Sequence, residues 1–481
     1  MPNRSPRTVL FAVLTATALA ATIAATASAK VAKGPKPEGR ADFVGLGEDG
    51  NFGRREHRQK RSAFPSFSFS FTDPTDHVTY PITMVGTDPR LVGSSGGNND
   101  GNANTGNNDG SKSAKAGEGR SRGSASSTMK TVIIPLRMRF VAAGQDTSVL
   151  NDIGYVGFRA TPLTHTFDGA RRVDPVLRSP IFREYSYPAD MGGDRAQYGD
   201  AFMRAQFGKI GTDYHVTLEP QVTETQTVDV PAQFGIAYQR PVGAWRTAHG
   251  MPTDTIAGIA DVTWFSNYII DVMAKLHIGP DVVPLFLTDN VMLYDTTYDN
   301  CCIIGFHGTP SAAASPDHAS LPVAQQTLIY AAWSTPGTYS GFMTDYTGTR
   351  TAPLPTRGIA DIHALSHELA EHLDDPFVNN AVTPWLTPTA PQYGCTPVLE
   401  TGDPVVGVWF PLDGNRTGSQ DGYNYYGQYH PEEEVFGQWF AHGAMEAQGL
   451  KSWDGRLTFM GPRTTGLGGP YADFGSYSHG C

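Results

Sequence analysis

Residues 363–376, His-Ala-Leu-Ser-His-Glu-Leu-Ala-Glu-His-Leu-Asp-Asp-Pro, restrict the fold more tightly than any other part of the chain. Three histidines, two glutamates and two aspartates fall within one helix length. Residues four apart stack on one helix face, so His363, His367 and Glu371 form a line that ends near Asp374. Ile359, Ile362, Leu365, Leu369 and Leu373 form a second line, roughly opposite at about 100° per residue. The leucine face calls for a core. The His/Glu face must meet a second layer of protein, a metal ion or solvent. Asp374 and Asp375 stand where the helix macrodipole disfavours anions by about 0.3–1 kcal/mol each, and Asp375-Pro376 stops the helix. Local stability gives no reason for two carboxylates there, whereas orienting a ligand histidine from behind would.

Inside this segment, His367-Glu368-x-x-Glu371 is the H-E-x-x-H pattern with its second histidine exchanged for glutamate. Zinc takes carboxylate oxygen as well as imidazole nitrogen, so His367 and Glu371 remain a ligand pair one turn apart. Glu368 lies beside that line, within reach of a water on the metal. His363 is an alternate partner for His367, but that pair has no Glu at its second position. His372, also an alternate, lies five residues after His367 and too far round the helix to share its ion easily. With 14 histidines and 14 glutamates in the chain, His-Glu-x-x-Glu arises by chance only about 0.01 times. The competing reading is a solvated polar face that happens to contain histidine.

The 481 residues carry a formal net charge of −11 and show no basic stripe interleaved with aromatics, which argues against a nucleic-acid partner. High glycine (53) and proline (35), with 20 Tyr and 24 Phe, point to a loop-rich chain with substantial strand content. Arg4 and Arg7, the apolar residues 9–26 and Ala27-Ser28-Ala29 read as a cleaved secretory signal over 1–29. The alternative is a membrane anchor formed by residues 9–26. Residues 30–128 read as a propeptide or flexible arm. It contains a basic run at Arg54–Arg61, possible short strands at 64–71 and 78–85, and a Gly/Asn/Ser-rich linker.

The folded domain is expected over 129–481. A strand is expected at 131–141, with Pro135 marking an edge or bulge. Helices are expected at 194–207 and 255–277, the second stopped by Gly279-Pro280. Strands at 282–288, 291–294, 303–306 and 327–333 then lead to the His-rich helix. Residues 431–450 read as a further helix, with Glu432, Glu433 and Glu434 as its structural acidic N-terminus. The expected class is α+β: a zincin-like domain, loop-rich, with a mixed sheet backing the active-site helix and a disordered N-terminal arm. Cys301, Cys302, Cys395 and Cys481 suggest disulfides in an exported chain. Adjacent cysteines seldom bond, so Cys301 and Cys302 are expected to reach Cys395 and Cys481.

Ser366-His367-Glu368-Leu369-Ala370-Glu371, with Asp375-Pro376 after it, resembles the S-H-E-L-A-E…D-P helix of secreted zinc-metallopeptidase-like proteins related to the plant phosphate-induced, exordium-like family. Members follow this helix with a Trp and an E-x-G-D segment, matched here by Trp385 and Glu400-Thr401-Gly402-Asp403. Phe436-Gly437-Gln438-Trp439-Phe440 corresponds loosely to a later motif. The resemblance spans roughly residues 280–445. It implies a zincin-like fold and a metal-dependent hydrolase acting on peptides or proteins.

A zinc enzyme takes a third protein ligand from outside the helix, leaving one position open. Asp403 or Glu400 fits that need, and Gly402 lets the backbone turn closely between them. The plain alternative is a surface turn at Gly402-Asp403-Pro404. His430 and His442 are reserve ligands, and a strand end can bring His307 near the cleft. The expected mechanism places Zn²⁺ on His367, Glu371 and Asp403 or Glu400, with Glu368 as general acid and base. Two carboxylate ligands weaken Lewis acidity, which keeps Mn²⁺ and Ca²⁺ in play. The alternative function is a non-catalytic extracellular or cell-envelope binding protein on the same scaffold.

Overall fold

The computed structural model describes residues 64–92, 126–144, 161–239, 256–295, 301–309, 326–335, 361–386, 395–406, 408–410, 412, 429–465, 474, 475, 477 and 481. The expected signal or anchor segment, residues 30–63 of the arm and most of the Gly/Asn/Ser-rich linker lie outside these residues.

The strand Ser126–Phe140 organises the larger, seven-stranded sheet. Along one edge it pairs with Val282–Asp289 in parallel, then with His165–Asp168 antiparallel. Along the other it pairs in parallel with His215–Val222, then Gln226–Asp229. Leu328–Trp333 adds in parallel beyond Val282–Asp289, and Gly305–Gly308 pairs antiparallel with Leu328–Trp333. Pro135 is therefore central, not at an edge as expected. It falls where each neighbouring strand hands over to the next, so the ladder is already interrupted and a residue without an N–H is accommodated.

The sheet is buried on both faces, as period-2 alternation requires. Met129, Ile133, Leu285, Leu287, Ile329 and Ala331 join one core, and Ile134, Leu136, Phe286, Leu328 and Tyr330 join the other. The second core is closed by a five-stranded sheet and the helix Val262–Lys275. Residues 255–277 are thus not one helix. Ile256–Asp261 is a strand, and the Asp261 carboxylate caps the helix by accepting from Trp264 N at 2.7 Å. The chain is mixed α+β, with several sheets and few helices.

Against the first core lies the helix His363–Asp374, here α2, with every residue buried. One side packs on Leu328–Trp333 and Gly305–Gly308, and another on the helix Tyr198–Gln206, here α1. Gly199 permits the helix crossing: a Cβ there would stand 2.8 Å from Leu373 Cδ1. A hairpin of Ser66–Thr72 and Thr79–Val85 also joins this core through Phe67, Phe69, Phe71, Ile82 and Met84, as does Phe64 just before it. The folded body therefore begins before residue 129, and residues 64–92 are part of it.

Residues 431–436 are extended, contrary to the helix expected from Pro431 onward; only Gly437–Phe440 and Ala444–Ala447 are helical. Their backbones bond to distant segments: Glu433 N to Val408 O, Val435 N to Thr401 O, and Phe436 N to Leu457 O. These pairings override a weak local preference. The disulfide also differs from expectation, since Cys395 bonds Cys481. Cys301 and Cys302 lie on the strand Cys301–Ile303.

Candidate metal centre

Three segments converge on the His/Glu face of α2: the strand Gly305–Gly308, the loop after the strand Cys395–Val398, and the extended run 429–436. His367 Nε2 lies 3.2 Å from Glu371 Oε1 and 3.6 Å from Asp403 Oδ1. The expected trio is thus assembled, and all three residues are buried. Glu368 stands beside it, with Oε1 3.9 Å from His367 Nε2. Gly402 N donates to Glu371 Oε1 at 3.2 Å, and a Cβ on Gly402 would stand 2.3 Å from the His367 ring. The E-x-G-D glycine is required by this close approach.

Glu400 turns elsewhere. Its Oε2 lies 3.8 Å from His307 Nε2, while His307 Nδ1 lies 3.3 Å from Glu368 Oε2 and 3.4 Å from Glu371 Oε2. Glu371 therefore faces both imidazoles, one through each carboxylate oxygen. Gly305 allows the strand to come this near, because a Cβ there would stand 2.6 Å from Glu368.

The other expected residues go to separate tasks. His363 Nε2 approaches Glu432 Oε2 at 2.9 Å, behind the trio. His372 is buried beside Phe64 and has no hydrogen-bond partner among the described residues. Burial and the neighbouring His307 push its imidazole down to about 3. His430 bonds Asp361 and His442 bonds Asp73, each at 2.7 Å. Asp374 accepts from Gln206 at 2.7 Å, and Asp375 accepts from the backbone of Asn379 and Asn380. Neither aspartate hydrogen-bonds a histidine of the site.

Glu432 is the residue that sequence reasoning assigned wrongly. Expected at a helix N-terminus, it is fully buried and its Oε2 lies 2.9 Å from His367 Nδ1. Its backbone N donates to Ser366 Oγ at 2.8 Å, which fixes the run 429–436 across α2. This is the carboxylate–histidine arrangement that holds one ring nitrogen so that the other faces a metal.

The spacing within the site separates ligand geometry from hydrogen bonding. His–Asp pairs elsewhere in the protein, at His215, His430 and His442, stand at 2.7 Å, as charge-assisted hydrogen bonds do. Glu432 approaches His367 Nδ1 at 2.9 Å from behind, but on the side facing the cluster the imidazole–carboxylate separations of His367 with Glu371 and Asp403, and of His307 with Glu368 and Glu371, run from 3.2 to 3.6 Å. Ligand atoms about 2.0–2.1 Å from one tetrahedral ion lie about 3.3–3.4 Å apart.

Charge tells the same story. The ion-pair partners of Glu368, Glu371, Glu400 and Asp403 among the described residues are all histidines. Burial pushes Glu368 up, and burial with the adjacent Glu371 drives Glu400 and Asp403 well above the carboxylate range. Burial alone would lower both imidazoles, but Glu371 and Glu432 around His367, and Glu400, Glu368 and Glu371 around His307, hold them well above the usual value. Glu371 is held low because the two imidazoles outweigh its burial. Buried charge of one sign is retained when it is paired or coordinates a cation, and these His, Glu and Asp groups can hold a metal ion. No family model, curated protein or solved structure matches this chain.

Proposed function

We propose that the protein is a secreted metal-dependent hydrolase, a zinc peptidase acting on peptides or proteins through a zincin-like site. The observation that carries this reading is the trio of His367, Glu371 and Asp403, set at ligand spacing with Glu432 behind the imidazole. An imidazole donor suits zinc better than calcium, which takes oxygen ligands. Zinc held there would supply Lewis acidity and a water acidic enough to ionise near neutral pH.

The chain's own residues then have distinct tasks. Glu432 holds Nδ1 of His367, leaving Nε2 to face the cluster. Glu368, whose carboxyl is pushed up by burial, accepts a proton beside the trio and returns it to the leaving amine. The S-H-E-L-A-E helix, the E-x-G-D segment and a supporting mixed sheet favour the zincin-like assignment. Export agrees with the Cys395–Cys481 disulfide. No helix among the described residues is long and apolar enough to cross a membrane.

The test is elemental analysis of the purified secreted protein beside Glu368→Gln, with casein cleavage as the activity. Zinc retained in both forms and cleavage lost in the variant supports the reading; absence of metal from both ends it. The near-complete burial of His367, Glu368, Glu371 and Asp403 favours one second reading, a cell-envelope binding protein with a structural metal. It predicts bound zinc without cleavage in either form.

A further inference from the structure

We propose that a second divalent cation binds next to the first, held by His307 Nδ1, Glu368 Oε2 and Glu371 Oε2, with Glu371 bridging the two positions. This rests on the metal reading of the His367 trio but adds a site on the other side of Glu371. His307 stands 3.3 Å from Glu368 Oε2 and 3.4 Å from Glu371 Oε2, the same separations as ligands around a tetrahedral ion. The His307 side chain is only 3 % exposed, and among the described residues its Nε2 has no hydrogen-bond partner while facing Glu400 at 3.8 Å. The ring thus lies against three carboxylates without closing a short bond to any. Gly305, two residues earlier, is needed for this approach because a side chain there would displace Glu368.

The charge balance points the same way. Glu368, Glu371, Glu400 and Asp403 carry four potential negative charges, which one divalent ion leaves half compensated and two neutralise. Glu371 offers a separate oxygen to each position, Oε1 towards His367 and Oε2 towards His307. Occupancy of the second position occupies the Glu368 oxygen facing His307, so proton transfer by Glu368 belongs to the form with that position open. Excess zinc then depresses hydrolysis.

Zinc stoichiometry of the full secreted chain, stripped with a chelator and titrated calorimetrically, tests this directly. Wild type is expected to bind two equivalents, and His307→Gln and His307→Ala one each. His367→Gln, which leaves His307 in place, separates the two positions. A wild type that binds one equivalent, retained in His307→Gln and lost in His367→Gln, overturns the second position while sparing the first. Wild type binding none overturns both. Should the His307 variants fail to fold by circular dichroism, the wild-type value of two against one still decides.

Discussion

His367 makes contacts of two kinds on its two ring nitrogens: a 2.9 Å hydrogen bond to Glu432 on Nδ1, and looser approaches to Glu371 and Asp403 on Nε2. Glu432→Gln keeps the shape but removes the charge that holds the ring. We expect zinc affinity to fall about 10–100-fold, as read by competition with a chromophoric chelator. An unchanged affinity would mean that Glu432 is a bystander. Gly402→Ala acts on the same ring by steric clash. Its Cβ would stand 2.3 Å from His367 Nδ1, and we expect at least a ~10-fold loss in the same assay. The pairing of His367 with Glu371 was legible in the chain because it is a helical i,i+4 relation. Glu432 was not, because a buried glutamate and a solvated one read alike until the fold sets their surroundings.

Two elements hold the site, and each has its own energetics. In α2, Leu369 is 1 % exposed and packs beneath α1 at Gly199. Truncating it leaves a cavity, and Leu369→Ala is expected to cost about 2–5 kcal/mol in urea unfolding. A cost under 1 kcal/mol would contradict the packing described. The run 429–436 carries Glu433, whose carboxyl accepts from Met460 N and Glu434 N and pairs with Thr464. Burial pushes it up to about 8, above the value of about 4.3 in an unfolded chain. The unfolded state therefore binds fewer protons between those values, so Glu433's contribution is complete below about pH 4 and lost as pH rises through 8. Asp374, also pushed up to about 8 by burial, has the same sign. We expect the melting temperature to fall from pH 5 to pH 8, and Glu433→Gln to flatten that fall. A wild type equally stable at both values would refute this. Pro-Glu-Glu-Glu is a local helix-start signal, but such preferences are weak, and pairing with residues 401, 408 and 457 overrules it.

At the scale of the molecule, a sheet buried on both faces carries the site on one side and the helix Val262–Lys275 on the other. The Cys395–Cys481 bond spans 86 residues and anchors the strand that leads directly into Glu400 and Asp403. Cys395→Ser is expected to lower unfolding free energy by about 2–4 kcal/mol and to weaken zinc binding through the released loop; equal melting temperatures for variant and parent would overturn this. The cysteine pairing was beyond sequence reasoning because four cysteines allow several connectivities and spacing does not choose among them.

Sequence alone determined the His367-Glu368-x-x-Glu371 helix, the capacity of its two faces to serve different neighbours, and Glu400 and Asp403 as the two candidates for a third donor around a close-turning glycine. Helical periodicity and glycine's missing Cβ act over a few residues, so they are readable in order along the chain. Tertiary structure decided the rest. It turned Glu400 towards His307, sent His363 and His372 away from the trio, and brought Glu432 across 65 residues to the back of His367. Those placements depend on which strands pair and which faces bury, and that is settled by the whole core at once.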